Sequence, residues 1–259
     1  MKLYNYLNES RTKKLSIYED EQFDKIVQKK CSDIVNRYKK GQDIILRGAK
    51  NNYDFAYIDP TKSTRKSAYA MNNFYTLLMD ELLPSWKNMP KRSKSVIATN
   101  NLNKAMGYGM MYIVYPYNGS KIGICNEEDI WDSFGYLDLT PLEELNIFLN
   151  DVGYEFDLTH NDDKSSLIDI LSALDDIKKN ELDFNFYKRD YNDFVNDFIS
   201  SNHKTFLSYL DEQMHPGKNR FKTCSPSNYS LRNDDNEIWI EGECLLEKYT
   251  EERYNELGR

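Results

Sequence analysis

The spacing of apolar and polar residues divides the first 90 residues into helix, strand and helix. Residues 20–40 end at a glycine and carry apolar side chains at helical spacing, which predicts an amphipathic helix with the apolar positions Phe23, Ile26, Val27, Ile34 and Tyr38. A short apolar run follows in "QDIILRGAK" and predicts a strand. The segment from Thr64 to Trp86 has a mostly helical pattern that Pro84 should end, because proline lacks a backbone donor.

Strand patterns dominate the next forty residues. The stretch "SKSVIAT" alternates and then becomes apolar, as a half-buried strand does. The stretch "GMMYIVYPYNGSKIGIC" contains two strand patterns around Asn118-Gly119, a dipeptide typical of tight hairpin turns. We therefore expect these two strands to pair with each other.

The pattern becomes helical again at Thr140 and returns to loop and strand near the C-terminus. In "TPLEELNIFL", Thr140 stands at a helix N-cap position, Pro141 at the first helical position and Glu143 at the spacing of a capping box. Further helical patterns continue to the break at "HPGKN". We expect an α+β protein in which residues 1–139 and 217–259 form one domain and residues 140–216 form a helical insertion.

Composition narrows the class of protein. The chain has 259 residues, of which 40% are hydrophobic and 14% aromatic, too many for a disordered chain. It has no apolar run near 18 residues, and its opening lacks the apolar core of a signal peptide. These features predict a soluble, cytoplasmic protein with no membrane partner. The formal net charge of −8 argues against a long nucleic-acid backbone as an unaided partner.

Cysteine and histidine give no metal or redox motif. The four cysteines are widely spaced without a CxxC pair, and the three histidines fit no HExxH pattern; they are Cys31, Cys125, Cys224, Cys244, His160, His203 and His215. Zinc hydrolase and zinc deaminase chemistry is therefore disfavoured, and we expect reduced thiols and no metal.

Three features stand in chain order and could carry chemistry. They are Arg47 at the end of the strand in "IILRGA", the serines of "RSKSVI", and acids at the loop-strand junction "DNEIWIEGE". Each also has a plain structural interpretation. The arginine could form a surface ion pair, the serines could lie in an edge strand, and the acids could be the solvated face of a strand.

Taken together, the three features resemble the mono-ADP-ribosyltransferases of the arginine, Ser-x-Ser, glutamate class, toxin-like enzymes also found in bacteriophages. The resemblance covers residues 43–124 and 225–246. It implies a split β-sandwich with flanking helices, NAD as co-substrate, and transfer of one ADP-ribose to a macromolecular acceptor. It assigns Arg47 and Gly48 to NAD binding and Ser93 and Ser95 to the catalytic site.

The catalytic acid has two candidate positions. The family pattern is Glu or Gln, any residue, then the catalytic Glu before a short apolar strand. Asp235-Asn236-Glu237 precedes "IWI", and Glu241-Gly242-Glu243 precedes "CLL". We prefer Glu237, because it directly follows the long polar loop and could face a cleft as a partly exposed side chain. The second position keeps the orthodox Glu-x-Glu but places Gly242 within a strand, which weakens pairing unless a bulge is present.

The chemistry explains these residue types. Loss of nicotinamide from NAD leaves positive charge at the anomeric carbon, which a carboxylate stabilises, and the arginine fork suits a pyrophosphate. Further NAD-binding candidates are Arg65, Asn73 and Tyr75, each of which could equally belong to a helix or the core.

Two other functions remain open from the sequence. The chain could be an NAD glycohydrolase, in which water replaces the acceptor, or a catalytically silent binding protein that uses an acidic helical surface. The acceptor is expected to be a protein in preference to a nucleic acid, and the oligomeric state is left open.

Overall fold

The structure, a computed structural model, describes residues 13–15, 20–62, 73–158, 161, 163–181, 184–231 and 235–258. The protein is α+β and divides into two compact units. Residues 1–65, 89–128 and 221–259 form what we call the strand unit, and residues 66–88 and 129–220 form the helical unit. In the described part of the chain, no helix is both long enough and apolar enough to cross a membrane.

All strands of the described residues belong to the strand unit. In chain order they are β1 (Lys13–Lys14), β2 (Leu46–Ala49), β3 (Phe55–Ile58), β4 (Val96–Thr99), β5 (Met110–Pro116), β6 (Lys121–Ile124), β7 (Lys222–Cys224), β8 (Glu237–Glu241) and β9 (Cys244–Lys248). Every pairing is antiparallel, and the order across the sheet is β1-β3-β9-β5-β2-β4-β8-β6-β7.

The sheet has two halves with a weak junction. The first half is β1, β3, β9, β5 and β2, and the second half is β4, β8, β6 and β7. Only the residue pair Leu46 and Thr99 joins β2 to β4, whereas β4 and β8 pair over four residues. Because adjacent strands twist relative to one another, a junction of one residue pair lets the two halves splay apart.

Helices complete both units. The α-helices are α1 (Asp20–Lys30), α2 (Ser32–Tyr38), α3 (Phe74–Leu77), α4 (Leu102–Gly107), α5 (Leu142–Glu155), α6 (Lys164–Asn180), α7 (Arg189–Ser200), α8 (Phe206–Gln213) and α9 (Glu251–Leu257). A π-helical turn spans Leu78–Leu82, and short 3-10 helices span Pro60–Lys62, Pro84–Trp86, Arg92–Lys94, Ile130–Asp132 and Pro226–Asn228. Helices α1, α2, α4 and α9 belong to the strand unit, and α3 and α5 to α8 belong to the helical unit.

The two units have separate aromatic cores. In the strand unit, Phe23 of α1 stacks on Phe55 with ring centroids 4.3 Å apart, and the Tyr38 hydroxyl donates to the Val114 carbonyl at 2.7 Å. In the helical unit, Phe148 meets Phe194 edge to face at 5.5 Å. Such ring contacts add to the stabilisation from apolar burial.

The predicted hairpin at Asn118-Gly119 does not form. Strands β5 and β6 exist, but β5 pairs with β2 and β9, and β6 pairs with β7 and β8. Asn118 instead binds the start of α2, since its side chain accepts from the Asp33 amide at 3.0 Å and donates to the Ser32 hydroxyl at 3.0 Å. The turn residue is thus used for a long-range helix contact, which overrides the local hairpin preference.

Other local predictions change at their boundaries. The helix expected over residues 20–40 breaks at Cys31 into α1 and α2. The capping box is wrong, because α5 begins at Leu142 with Pro141 at its N-cap and no side-chain cap bond. The predicted insertion, residues 140–216, lies within the helical unit. That unit is larger than predicted, because it consists of residues 66–88 and 129–220. Helix α9 was not predicted.

Candidate active site

The three sequence features occupy three adjacent strands of the strand unit. Arg47 lies on β2, the Ser-x-Ser segment leads into β4, and Glu237 and Glu241 are the two ends of β8. Strand β4 lies between the other two in the sheet. The junction of the two sheet halves therefore contains all three features.

The chain passes from the second half of the sheet to the first at Gly242 and Glu243. Strand β8 pairs with β4 and β6, whereas β9, which begins one residue after Glu243, pairs with β3 and β5. Gly242 has φ of 150° and lies against Ser120, whose Cβ would stand 2.8 Å from a Cβ added at position 242. Gly242 is therefore not inside a strand, and its positive φ and close packing favour glycine.

A second connection crosses at the same place. The loop from β5 to β6 also passes between the two halves, and its Tyr117 amide donates to the Glu243 carbonyl at 2.9 Å. The two connections thus fix each other's backbone where Glu243 stands. The backbone at Glu243 is therefore fixed by the second connection.

The Ser-x-Ser segment lies at the same end of β8 as this crossing. In the antiparallel register Val96 faces Ile240, so Ser95 is next to Glu241. The backbone amide of Lys91 donates to the Glu241 carboxylate at 3.4 Å. Ser95 is buried, and its hydroxyl donates to the Lys91 carbonyl at 2.7 Å, which closes the turn that begins β4. Ser93 is half-buried in the short helix Arg92–Lys94.

Glu243 is exposed and has a tyrosine partner. The Tyr57 hydroxyl, on β3, donates to the Glu243 carboxylate. Burial and this hydrogen bond raise the pKa of Tyr57 above its usual range, so the hydroxyl keeps its proton at neutral pH. A protonated Tyr57 holds one carboxylate oxygen of Glu243 in place.

Arg47 lies on β2 at the junction of the two sheet halves. Burial raises the pKa of the Cys244 thiol well above its usual range, and the positive charge of Arg47 partly opposes that shift. Arg47 itself is buried, and its Nη1 donates to the Ile97 carbonyl on β4. This hydrogen bond therefore links β2 of the first half of the sheet to β4 of the second half.

Asp59 adds a second carboxylate close to these elements. It follows β3, whose last residue pairs with Cys244, and the short helix Pro60–Lys62 packs on the short helix Arg92–Lys94. Asp59 is buried but accepts from the Thr61 hydroxyl at 2.5 Å and pairs with Lys62 at 2.5 Å. Burial alone would raise the pKa of Asp59, but these donors lower it below its usual value, which keeps the carboxylate charged.

Glu237 lies at the other end of β8, about 13 Å from Glu241 along a strand that rises about 3.3 Å per residue. The expectation of a partly exposed side chain is wrong, since Glu237 is only 5% exposed. Its Oε1 accepts from the Trp239 indole at 2.5 Å and pairs with Arg92 at 3.4 Å. The alternation of a strand that is buried on both faces explains the error, because the loop before Glu237 does not leave its side chain in solvent.

The remaining predicted residues are placed apart from Glu243. Asp235 is exposed, and the Asn101 side chain donates to it at the Glu237 end of β8. Gly48 packs against α4, where a Cβ at position 48 would stand 2.7 Å from the Tyr108 Cβ and overlap the Ala105 carbonyl. The need for glycine there is explained by helix packing.

Two predicted NAD ligands belong to the helical unit. Asn73 is buried at the start of α3, and Tyr75 is fully buried with its ring 4.9 Å from that of Trp131. Tyr75 is therefore a core residue in this structure, which leaves no exposed ring face for nicotinamide. Arg65 lies outside the described residues.

Sequence reasoning missed three residues at this junction: Tyr57, Asp59 and Arg92. Tyr57 is one of 20 tyrosines, and nothing in its neighbourhood distinguishes it. Asp59 stands in "YIDPTK", where an acid directly after a strand and before a proline was the available signal. Arg92 directly precedes the Ser-x-Ser segment and could have been found from that position.

Comparisons of the chain with protein-family models, with curated proteins and with solved structures found no match. Within the described residues, no group of three or more His, Cys, Asp and Glu side chains is placed to hold a metal ion.

Proposed function

We propose that this chain is an NAD-dependent mono-ADP-ribosyltransferase, with Glu243 as the catalytic carboxylate and Glu241 as the acid nearest the acceptor. The observation that carries the proposal is the position of Glu241-Gly242-Glu243. This segment lies at the crossing of the two sheet halves, beside the start of the Ser-x-Ser strand. Arg47 donates to the Ile97 carbonyl on β4, the strand that the Ser-x-Ser segment begins and that pairs with β8.

The choice of Glu243 over Glu237 rests on exposure and partners. Glu237 is buried and paired with Arg92, so its charge is already balanced inside the protein. Glu243 is exposed to solvent and held through one oxygen by Tyr57, which leaves its other oxygen for a substrate hydroxyl. A catalytic carboxylate must be both reachable and fixed in orientation.

The carboxylate has a defined role in this reaction. The bond between the anomeric carbon and the nicotinamide nitrogen breaks with its electron pair going to nitrogen, and positive charge develops on the ribose. A fixed negative charge beside that carbon stabilises the transition state more than the ground state. The acceptor's nucleophilic atom then bonds to the anomeric carbon, and its proton passes to the Glu241 carboxylate.

The other junction residues supply binding and positioning. Arg47 is buried and its Nη1 donates to the Ile97 carbonyl, so its role in the proposal is a fixed positive charge that attracts the phosphates of NAD. Lys62, which is largely exposed beside Asp59, adds a further positive charge to the strand unit. By sequence, this unit carries 24 Lys and Arg residues against 20 Asp and Glu. That balance suits a dinucleotide with two phosphate groups.

The test is release of nicotinamide from NAD by the purified full chain. We expect Glu243→Gln to lower the rate by about two to three orders of magnitude, the loss seen when one electrostatic stabiliser is removed. Because the Glu243 side chain is exposed, the melting temperature of the Glu243→Gln variant should match that of the wild-type protein. Glu252→Gln, an exposed acid on α9 of the same unit, is the matched control and should retain full activity.

A second measurement separates transfer from hydrolysis. Incubation with a lysate and NAD labelled on the adenine should place label on a macromolecule that protease digestion removes. Release of nicotinamide without such labelling would make the chain a glycohydrolase. No loss of NAD in either setting, or full activity in Glu243→Gln, would overturn the proposal.

A further inference from the structure

The helical unit contains a cavity of about 640 Å³ that the proposed NAD chemistry does not use. It is lined by residues from the end of α5 and from the loop and first turn of α7: Asp151, Tyr154, Glu155, Asn185, Phe186, Tyr187, Arg189 and Asn192. Two of the lining residues are exposed tyrosines, Tyr154 at 62% and Tyr187 at 73%. The cavity therefore combines aromatic and acidic groups with one arginine.

The α5 end of the cavity is electrostatically unfavourable as it stands. The C-terminal end of a helix carries partial negative charge and is normally matched by basic residues. The last turn of α5 instead has no basic residue and contains Asp151 and Glu155, whose spacing of four places like charges side by side. A cation bound here would relieve both repulsions.

The aromatic wall is held in position. The Tyr187 hydroxyl donates to the Asp151 carboxylate at 2.9 Å. The loop that carries Tyr187 is fixed by Asn192, whose side chain accepts from the Phe186 amide at 2.8 Å and donates to the Phe186 carbonyl at 2.9 Å. The cavity is thus formed before any partner binds, which reduces the ordering cost of binding.

Arg189, which lines the cavity, and its neighbour Lys188 pair with acids outside the cavity. Lys188 pairs with Glu144 at 2.9 Å, and Arg189 pairs with Asp193 at 3.4 Å. The whole helical unit carries, by sequence, 22 Asp and Glu residues against 10 Lys and Arg. Its field therefore attracts positively charged partners toward this surface.

We propose that this cavity binds an arginine or lysine side chain of a basic peptide segment on a partner protein. The cation would lie over the Tyr154 ring, where cation–π attraction operates, and pair with Asp151 and Glu155. The Tyr187 ring already has the Lys188 ammonium 5.9 Å from its centroid. The proposal does not depend on NAD chemistry. A measurement of peptide binding tests it without any measurement of NAD cleavage.

The test uses the full chain and a fluorescein-labelled peptide of five arginines alternating with five glycines, with fluorescence anisotropy at low salt as the readout. We expect saturable binding, weakened about tenfold in the Asp151→Asn, Glu155→Gln double variant, because the loss of two charge pairs, each about 0.7 kcal/mol, adds to about 1.4 kcal/mol. The matching peptide of glutamate and glycine should not bind.

The control is the double variant Asp169→Asn, Asp176→Asn, which removes two exposed acids from α6 and none from the cavity. It should bind the arginine peptide within about twofold of the wild-type protein, since distant surface charges act weakly. Equal weakening of both double variants would show a diffuse attraction and overturn the cavity as the site. Absence of arginine-peptide binding by the wild-type protein would do the same.

A single substitution at an exposed residue controls for misfolding of the double variant. Tyr154→Ser removes an exposed ring, so the fold should keep its melting temperature. We expect it to weaken arginine-peptide binding about threefold, the effect of losing one exposed cation–π contact. Unchanged binding in Tyr154→Ser would contradict the aromatic part of the proposal.

Discussion

The two units differ in whether their charged side chains are buried. Among the described residues, the buried charged side chains all belong to the strand unit: Arg47, Asp59, Arg92, Glu237 and Glu247. The buried polar side chains of the helical unit are amides and hydroxyls: Asn73, Thr76, Ser133, Asn146, Asn150, Ser166 and Asn219. The helical unit nevertheless has the larger net charge by sequence, with 22 Asp and Glu residues against 10 Lys and Arg, whereas the strand unit has 24 Lys and Arg against 20 Asp and Glu.

Buried charges and exposed charges have different roles in a protein. A buried charge costs several kcal/mol of desolvation unless it is paired, and such groups concentrate at functional sites. Exposed charges cost little and act at a distance on approaching partners. The comparison supports placing the chemistry at the sheet junction of the strand unit and the recognition of a basic partner on the helical unit.

The largest expected effect contrasts one ion pair from each unit. Glu237→Gln should lower the free energy of unfolding by about 3 kcal/mol, because it leaves the Arg92 charge buried without its carboxylate partner. Glu144→Gln removes the partner of Lys188, a pair in which both side chains are 36% exposed, and should cost less than about 1 kcal/mol. Urea unfolding followed by circular dichroism measures both values. Equal losses would remove the contrast between buried and exposed charge.

This pair also shows what the sequence could and could not predict. The pattern of "DNEIWIEGE" correctly predicted a strand, β8, that starts at Glu237. It could not show that Glu237 is buried, because that depends on Arg92 and Trp239, and Arg92 comes from another part of the chain. Local pattern thus predicts the element, whereas the exposure of its end residues depends on long-range partners.

The same limit applies to the candidate site. The order of Arg47, the Ser-x-Ser segment and the acids suggested that these elements meet, and β2, β4 and β8 are adjacent in the sheet. The pairing of β5 and β6 was wrong because Asn118 binds α2. The crossing that makes Glu243 distinctive depends on which strands pair, which short-range spacing does not specify.

Glycine substitutions test the packing of the two units. Gly48→Ala should lower the free energy of unfolding by about 2–3 kcal/mol, because the added methyl group would overlap the backbone of α4. Gly135→Ala in the helical unit meets no atom within 4 Å and should be neutral or slightly stabilising. Thermal unfolding of the two variants gives the comparison. A mild Gly48→Ala would mean that α4 can move away from β2.

Arginine-to-lysine changes give a smaller contrast. Arg47→Lys keeps the charge but loses the planar fork and the hydrogen bond to the Ile97 carbonyl, so we expect a loss of about 1 kcal/mol and a higher KM for NAD. Arg189→Lys, at a side chain that is 90% exposed, should change stability by less than about 0.5 kcal/mol. Urea unfolding and initial rates at varied NAD measure these effects. An unchanged KM in Arg47→Lys would remove Arg47 from the NAD site.

The smallest effects concern pH, where one glutamate from each unit should act in opposite directions. Burial raises the pKa of Glu247 and outweighs its hydrogen bonds from Tyr115 and Arg253, whereas the hydrogen bond from Lys218 lowers the pKa of Glu212. The raised pKa makes the Glu247 contribution to stability fully present below its unfolded-state pKa and lost as pH rises through the folded-state value. The lowered pKa makes the Glu212 contribution present above its unfolded-state pKa and lost as pH falls.

Glutamine variants isolate these two contributions, because glutamine does not titrate. Between pH 3 and pH 7, the free energy of unfolding of Glu247→Gln, taken relative to the wild-type protein, should rise with pH. The same difference for Glu212→Gln should fall with pH, since only the wild-type protein gains the Lys218 interaction as the carboxylate ionises. Slopes of the same sign would show that burial does not dominate the pKa of Glu247. The basic partner Arg253 would then determine that pKa, as Lys218 does for Glu212.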